Sequence, residues 1–573
     1  MTENDLKAKI AKSPNDPESH HLLGGLLYQK GDFGGALGSF LMALLLKPDN
    51  LTFLQNALHV LGMTSGYQLP DPLLNILAQW GDHDEVNIQD MSMVIHNQYG
   101  ASPLLGTLLN VLEASDDDIE TILSSDHFDV FFNDPLLHAV MQKAIIITPL
   151  LEICLTKLRR HVLTMSLKRG VSNHAMSQRL DFLTSFACQC FNTEYAYAIT
   201  EEEQNLLSSL SENADDDNLL KWAIIASYQP LHTVLTKAPV RPSGLSSAYK
   251  FLLERQFFNY QDELSRRENI VSLTAVNDDI SKKVQQQYEQ YPYPRWIRYA
   301  KGRPQSFKKF ICTRFPDQTD HKIAGGTIDL LIPGCGTGMQ ICKLASSLSP
   351  AKITALDISR TSLAYAMRSV EKNGFKKITF FHGDIIEMGD CDLNFDYIDC
   401  TGVLHHLAQP EKGLKNLSHM LRGGGYMRLA LYSERGRQDV IAARDYVREQ
   451  GFDDSAQGVR DFRQALLKLP ADHPIFCVSE NQDFYSISGL HDLIFNVNEN
   501  RYSPKELKAM LHQEGLEFLG FDHMNTAVPD QYAAAFPHDP AQRNLENWDA
   551  FEKKHPETFG FMYHFWCRKP IIS

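Results

Sequence analysis

The pattern of hydrophobic and polar positions changes character at about Thr327. Before that residue, apolar positions recur at helical spacing as far as about residue 280, with breaks at prolines. After it, short apolar runs rich in branched residues, among them TIDLLIP, KITALDIS and FDYIDCT, alternate with helical patterns. Strand and helix alternation is typical of a parallel sheet covered by helices on both faces. The sequence therefore predicts an all-α N-terminal region followed by an α/β domain.

The first apolar segment, residues 17–50, has a characteristic length and spacing. It is 34 residues long, and its small or packing residues stand at Gly24, Ala36, Phe40 and Ala43. In both respects it resembles a tetratricopeptide repeat. Because one repeat cannot bury its own apolar face, it needs helical neighbours. We predict repeat-like helices over residues 1–66 and an all-α middle region over residues 67–260.

A glycine-rich turn joins the first predicted strand to the helix that follows. The stretch TIDLLIPGCGTGMQ places Gly334, Gly336 and Gly338 in this turn, with Cys335 between the first two. Glycines allow the backbone to approach a ligand closely. A dinucleotide-binding turn would carry its third glycine at Met339, so the pattern favours a different cofactor.

Acidic residues end the next two predicted strands. Asp357 ends the second strand and is followed by Ile358, while Asp384 follows the third and precedes Ile385. A carboxylate at the second strand end can accept hydrogen bonds from both hydroxyls of a ribose. The carboxylate of Asp384 is suited to accept a hydrogen bond from an exocyclic amine, and the two isoleucines can cover a flat base. Together with the glycine turn, these residues predict a nucleoside cofactor.

This arrangement resembles the class I S-adenosylmethionine-dependent methyltransferases, as does the fourth predicted strand, FDYIDCTGVLHHL. The resemblance implies a Rossmann-like domain with a seven-stranded, mostly parallel sheet over residues 261–573. It also implies S-adenosylmethionine as the cofactor. The glycine turn with Cys335 would face the methionyl group, Asp357 the ribose, Asp384 the adenine and Thr401 the methyl donor.

The segment QQQYEQYPYPRWIR, residues 285–298, forms a fixed bend before the first strand. Proline excludes helical geometry for the residue before it, so the preceding helix must stop here. By the resemblance, this bend folds over the cofactor, with Tyr288, Tyr293 and Trp296 as its roof and Arg295 paired with the methionyl carboxylate. Packing of Trp296 in the core is the alternative.

Several residues are candidates for orienting the methyl acceptor or accepting its proton. They are Tyr432, Asp492 and Glu499, in addition to the tyrosines of the bend. His405 and His406 follow the fourth strand, where a histidine can act as a general base or can close the cofactor pocket. The sequence leaves both roles open.

Three outer segments resemble a narrower group. YEQYPYPRW, DFYSISGLHDLIFNVNENRYSP and NWDAFEKKHPETFGFMYHFWC are similar to bacterial proteins that fuse tetratricopeptide-type helices to a class I methyltransferase, among them rickettsial protein-lysine methyltransferases. The resemblance implies a lysine acceptor in a protein or peptide bound by the N-terminal helices, and we expect a helical insertion at about 434–482. A small-molecule methyltransferase and a repeat scaffold that binds cofactor without turnover are the alternatives.

Composition and charge limit the partners. The net charge of −15 argues against nucleic acid, which requires a basic face. The ten cysteines form no CxxC pair, so neither a disulfide framework nor a metal site is indicated. The chain start lacks the apolar core of a secretion signal, and its most apolar stretch contains charged residues, so no membrane span is expected. We expect a cytoplasmic bacterial enzyme, with a homodimer left open.

Overall fold

The computed structural model describes residues 2–64, 66–81, 83, 85–86, 88–114, 119–170, 174–212, 218–239, 245–299, 301–318, 325–522 and 527–571. The chain divides into two compact units, Met1–Tyr260 and Gln261–Ser573. Among the described residues, no helix combines the length and the apolar content needed to cross a bilayer.

The regular elements described in the first unit are all helices. Their bounds are Glu3–Lys12, Pro17–Gln29, Phe33–Leu46, Leu51–Leu61, Asp71–Trp80, Ser92–Tyr99, Pro103–Ala114, Ile119–Ser124, Asp129–Phe132, Pro135–Lys143, Pro149–Arg169, His174–Gln178, Leu180–Asn192, Glu201–Ser211, Leu219–Ala226 and Ser247–Leu253. A π-helix, Glu254–Phe258, follows, and the next helix, Asn259–Arg267, belongs mostly to the second unit. The helices up to Phe258 bury one continuous set of apolar side chains.

The helices Pro17–Gln29 and Phe33–Leu46 form the hairpin expected from residues 17–50. Gly24 is needed where they cross, because a Cβ atom there would lie 2.7 Å from the ring of Phe40. Asp32 caps the start of the second helix, because its side chain accepts a hydrogen bond from the backbone N–H of Gly35. The assignment to tetratricopeptide repeats stays a prediction.

The second unit is built around a mostly parallel sheet of eight strands. The strands are β1 (Ile328–Pro333), β2 (Ala351–Asp357), β3 (Ile378–His382), β4 (Phe395–Thr401), β5 (Leu421–Ser433), β6 (Arg501–Tyr502), β7 (Glu517–Phe521) and β8 (Met562–Arg568). Their order is β3-β2-β1-β4-β5-β8-β7, and β6 pairs with β5. Strand β8 runs antiparallel to both β5 and β7. The predicted fold class is confirmed, with the two-residue β6 as one strand more than expected.

Helices cover both faces of this sheet. They are Asp279–Gln290, Phe307–Arg314, Met339–Ser347, Arg360–Lys372, Pro410–Met420, Gln438–Gln450, Ala456–Leu467, Ile487–Leu490, Pro504–Gln513, Val528–Ala535 and Leu545–Lys554, together with the π-helix His491–Phe495. Successive side chains of a strand point to opposite faces. Accordingly, Leu330 and Ile332 of β1 belong to one buried apolar cluster and Leu331 belongs to another.

Candidate active site

A cavity of about 340 Å³ lies at the carboxyl ends of β1, β2 and β4. This is where the strand order reverses between β1 and β4, and ligands of open α/β sheets bind at such a point. Most of the predicted site residues line it: Tyr288, Tyr293, Gly334, Cys335, Gly336, Asp357, Ile358, Asp384, Ile385, Thr401 and Tyr432.

The glycines of the turn lie too close to their neighbours to be replaced by residues with side chains. Gly334 has φ +68°, and a Cβ atom on it would lie 2.3 Å from Cγ2 of Val403. Gly336 has φ +51°, and its Cβ atom would lie 2.7 Å from the carbonyl oxygen of Tyr293. Gly338 caps the helix Met339–Ser347 and packs against Ala366, away from the cavity wall. Glycine is therefore required for the turn to fit between β1 and the bend.

Asp357 ties the end of β2 to the glycine turn. Its Oδ2 accepts a hydrogen bond from the backbone N–H of Gly336 at 2.7 Å, and its Oδ1 accepts one from Ser359 at 2.9 Å. Burial raises the pKa of this carboxyl to about 6, although these backbone hydrogen bonds oppose the rise. The carboxyl group lines the cavity with lone pairs left for further donors.

Asp384 has an oxygen that is not used within the protein. The residue is 1% exposed, and its Oδ1 accepts a hydrogen bond from the backbone N–H of Ile386 at 3.1 Å. Oδ2 has no hydrogen-bond partner among the described residues. Burial raises the pKa of this carboxyl, and the nearby Ser281 hydroxyl opposes the rise. A buried acceptor without a partner is costly, so it suits a ligand donor such as an exocyclic amine.

The bend places its aromatic residues in two different environments. Tyr293 lines the cavity, and its hydroxyl donates to both carboxyl oxygens of Asp483 at 3.1 Å. Trp296 is only 7% exposed, belongs to an apolar cluster and donates its Nε1–H to the carbonyl of Thr337 at 3.0 Å. Neither Trp296 nor Arg295 lies on the cavity wall. The indole of Trp296 is thus packed in the core, which was the alternative to a roof over the cofactor. The pairing of Arg295 with the methionyl carboxylate stays a prediction.

A second part of the cavity wall, which we call the Asp492 end, is built around Asp492. Tyr288 donates its hydroxyl proton to Asp492 Oδ1 at 2.6 Å, and Tyr432 donates to Oδ2 at 3.5 Å. Asn496 donates in turn to the Tyr288 hydroxyl oxygen at 3.3 Å. Asp492 lies in the π-helix His491–Phe495, a type of irregularity that is frequent at functional sites.

The two histidines after β4 point in different directions. The ring of His405 stacks on Tyr432 with centroids 3.6 Å apart and is absent from the cavity wall, whereas His406 lines it. His406 Nδ1 lies 2.8 Å from the carbonyl oxygen of Asn498, and Nε2 lies 3.8 Å from Asp492 Oδ1. Burial lowers the pKa of both imidazoles. The candidate base at this position is therefore His406 and not His405.

Glu499 lies in an ion cluster beside the site, not on the cavity wall. Its carboxylate pairs with Arg437 at 2.8 Å, and Arg501 and Arg444 lie at 3.4 and 3.8 Å. Burial would raise the pKa of Glu499, but the arginines, Arg437 foremost, hold it below its usual value. Because its charge is already compensated and it lies off the cavity wall, Glu499 is poorly suited to accept a proton, and its role in orienting the acceptor stays a prediction. Arg437 also lies 3.6 Å over the ring of Tyr432 and fixes that ring in place.

Asp483 is a site residue that the sequence did not single out. It accepts the hydrogen bond from Tyr293 described above, and burial followed by the charge of Asp492 raises its pKa to about 7. Its local signal, an aspartate two residues after the capping Asn481, is common in ordinary turns. Its role depends on Tyr293, which is 190 residues away in the sequence.

Comparison with known proteins agrees with this geometry. A family model described as a methyltransferase domain matches residues 327–460. An uncharacterized protein from Synechococcus is 27% identical over 312 residues, which cover 52% of this chain and 74% of the relative. The demethylmenaquinone methyltransferase of Anoxybacillus flavithermus is 27% identical over 121 residues, covering 21% of this chain and 51% of that enzyme.

Among solved structures, PKMT2 from Rickettsia typhi in complex with AdoHcy is similar at 16% identity, with a TM-score of 0.33. The match covers 43% of this chain and 49% of that protein. This chain thus spans about half the length of both the rickettsial protein and the Anoxybacillus enzyme. The match to the family model confirms the predictions of a methyltransferase and of S-adenosylmethionine as its cofactor.

The cavity fits this cofactor. The unpartnered oxygen of Asp384 suits the adenine amine, Asp357 has free lone pairs for ribose hydroxyls, and the close glycine turn leaves space for the methionyl group. Ile358, Ile385 and Thr401 complete this part of the wall.

Proposed function

We propose that this protein transfers the methyl group of S-adenosylmethionine to the side-chain amine of lysine in a protein substrate. The composition of the cavity supports the proposal. Its wall contains the glycine turn, Asp357 and Asp384, and also a second cluster of polar groups around Asp492. When bound, the cofactor supplies an electrophilic methyl group. The protein contributes by orienting the acceptor and by excluding water from it.

The helical first unit is proposed to bind the protein substrate. Stacked helical hairpins of the kind expected over residues 1–66, continued by the helices of residues 67–260, present long surfaces suited to peptides. The resemblance of the three outer segments to rickettsial protein-lysine methyltransferases supports a protein acceptor.

The test is to incubate the full-length protein with radiolabelled S-adenosylmethionine and a bacterial lysate. We expect label in proteins, and acid hydrolysis should release it as methyl-lysine. Label found only in small molecules would favour the other candidate, a small-molecule methyltransferase, which the similarity to the Anoxybacillus enzyme supports. Calorimetry with S-adenosylhomocysteine tests the cofactor part separately.

A further inference from the structure

The Asp492 end of the cavity offers hydrogen-bond acceptors to a ligand. The hydroxyl protons of Tyr288 and Tyr432 are directed at Asp492, and that of Tyr293 is directed at Asp483. Each hydroxyl therefore turns only its oxygen lone pairs to a further partner. Such a surface repels an anionic acceptor and complements a group that carries several N–H donors.

The charge at this end is negative and partly buried. The side chain of Asp492 is 13% exposed, and its charge, after burial, is the second cause that raises the pKa of Asp483 to about 7. Arg437, the cation stacked on Tyr432, is neutralised by its ion pair with Glu499. A ligand cation in the cavity beside Asp492 would be stabilised by this negative charge.

His406 adds an unused nitrogen aimed at the same place. Because Nδ1–H donates to the carbonyl of Asn498, Nε2 is the nitrogen that carries the lone pair. The residue is 4% exposed, lines the cavity, and its Nε2 has no hydrogen-bond partner among the described residues. The 3.8 Å between Nε2 and Asp492 Oδ1 is too long for a hydrogen bond, but an ammonium nitrogen lying to one side can be within about 3 Å of both atoms and donate a different proton to each.

We propose that this end of the cavity is an ammonium-binding site, in which Asp492 holds the acceptor amine and His406 Nε2 takes its proton. The proton moves from the ammonium to Nε2, which leaves the amine nitrogen with a free electron pair. The resulting imidazolium lies beside the Asp492 carboxylate, which stabilises it. This proposal rests on the proposed function, since it names the groups that prepare the acceptor.

A binding experiment tests the first part of the proposal, that Asp492 holds the acceptor amine, without requiring turnover. Full-length protein saturated with S-adenosylhomocysteine is titrated with Nα-acetyl-lysine methylamide and with the uncharged Nα-acetyl-norleucine methylamide, and binding is followed by ligand-observed NMR. We expect the lysine probe to bind and the norleucine probe to bind at least about 30-fold more weakly. Asp492→Asn should abolish that preference, whereas Asp445→Asn, which changes a half-exposed carboxylate of the same unit, should retain it.

Equal binding of both probes, binding of neither, or an unchanged preference in Asp492→Asn would overturn the proposal. These outcomes leave the proposed function standing as long as S-adenosylhomocysteine binds and proteins are labelled. Failure of S-adenosylhomocysteine to bind would count against the proposed function itself.

The second half is tested by the pH dependence of protein labelling. His406→Gln should slow labelling by about 100-fold or more at pH 7. The loss should shrink as the pH rises, because the ammonium then loses its proton to solvent. His419→Gln, which changes an exposed histidine of the same domain, is the matched control.

The groups facing His406 must be considered in this experiment; they are Asp492, Glu499, Arg437, His405, Tyr288 and Tyr432. Since the Asp492 charge raises the His406 pKa, Asp492→Asn should move the acidic limb of the profile to lower pH. A His406→Gln variant that loses the same fraction of its rate at every pH would show a structural role only and would overturn the proton transfer.

Discussion

The two ends of the cavity are built in different ways. The glycine-turn end comes from one short turn and from the residues that follow the next two strands, so its parts lie within about fifty residues of one another, Gly334 to Asp384. The Asp492 end brings together residues 204 positions apart, Tyr288 and Asp492, with His406 from a third segment. The difference shows that one part of a cavity wall can be encoded by a local motif, while another part is assembled from distant segments by the fold.

The largest expected effect is a loss of stability, and it tests whether Trp296 belongs to the core and not to the cavity. Trp296→Ala should lower the free energy of unfolding of the second unit by about 3–5 kcal/mol, because it removes a buried indole and its hydrogen bond to Thr337. Denaturant unfolding followed by circular dichroism measures this, and Trp296→Phe, which retains an aromatic ring, should lose less. Unchanged stability with lost cofactor affinity would instead place Trp296 on the cofactor.

The next effect tests the cofactor end directly. Asp357→Asn should weaken binding of S-adenosylhomocysteine by about 1.5–3 kcal/mol, since a charged acceptor of ribose hydroxyls is lost. Calorimetry provides the value, with the exposed Asp392→Asn as the control. If the affinity of a folded Asp357→Asn protein stayed the same, Asp357 would not belong to the cofactor site.

The raised pKa of Asp357 predicts that cofactor affinity depends on pH. Its pKa is raised to about 6 from a usual value of 3.8, so it is ionised above pH 6 and becomes protonated below it. Cofactor affinity should therefore fall as the pH drops through about 6, and Asp357→Asn should remove this dependence. For folding the sign is opposite: the folded state takes up the proton more readily, so the stability contribution of this group declines as the pH rises from 3.8 through 6.

A smaller effect concerns the glycine turn. Gly336→Ala should reduce cofactor affinity by about 1–3 kcal/mol, because alanine strains the backbone at φ +51° and displaces Tyr293. Gly374→Ala is a matched control, with φ +87° but no atom within 4 Å of its Cβ. If the two variants had the same affinity, the close approach of the turn to the bend would be irrelevant to binding.

The smallest effect lies at the Asp492 end. Tyr293→Phe removes one hydroxyl that donates to Asp483, and it should slow methylation by an amount equal to about 0.5–1.5 kcal/mol in activation free energy. Affinity for S-adenosylhomocysteine should stay the same. A loss of that affinity comparable to the loss in rate would show that Tyr293 serves the cofactor and not the acceptor, and the distinction between the two ends would fail.

The fold class could be predicted from the sequence alone, and so could the placing of Gly334, Gly336, Asp357 and Asp384 on one cavity wall. Hydrophobic periodicity determines helices and strands locally, and the turn at Gly334 and Gly336 is defined by consecutive residues. Because the carboxyl ends of parallel strands meet at one edge, Asp357 and Asp384 had to come close once the sheet was predicted. Local pattern and sheet geometry were sufficient for this end.

The residues grouped around Asp492 could not be identified without the folded structure. Adjacent histidines face different surroundings, so His405 packs on Tyr432 while His406 reaches the cavity. Glu499 is neutralised by arginines from other segments, and Asp483 acquires its role from a distant tyrosine. The direction and charge environment of a side chain depend on what packs against it, and contacts over such sequence separations leave no periodic signal in the chain.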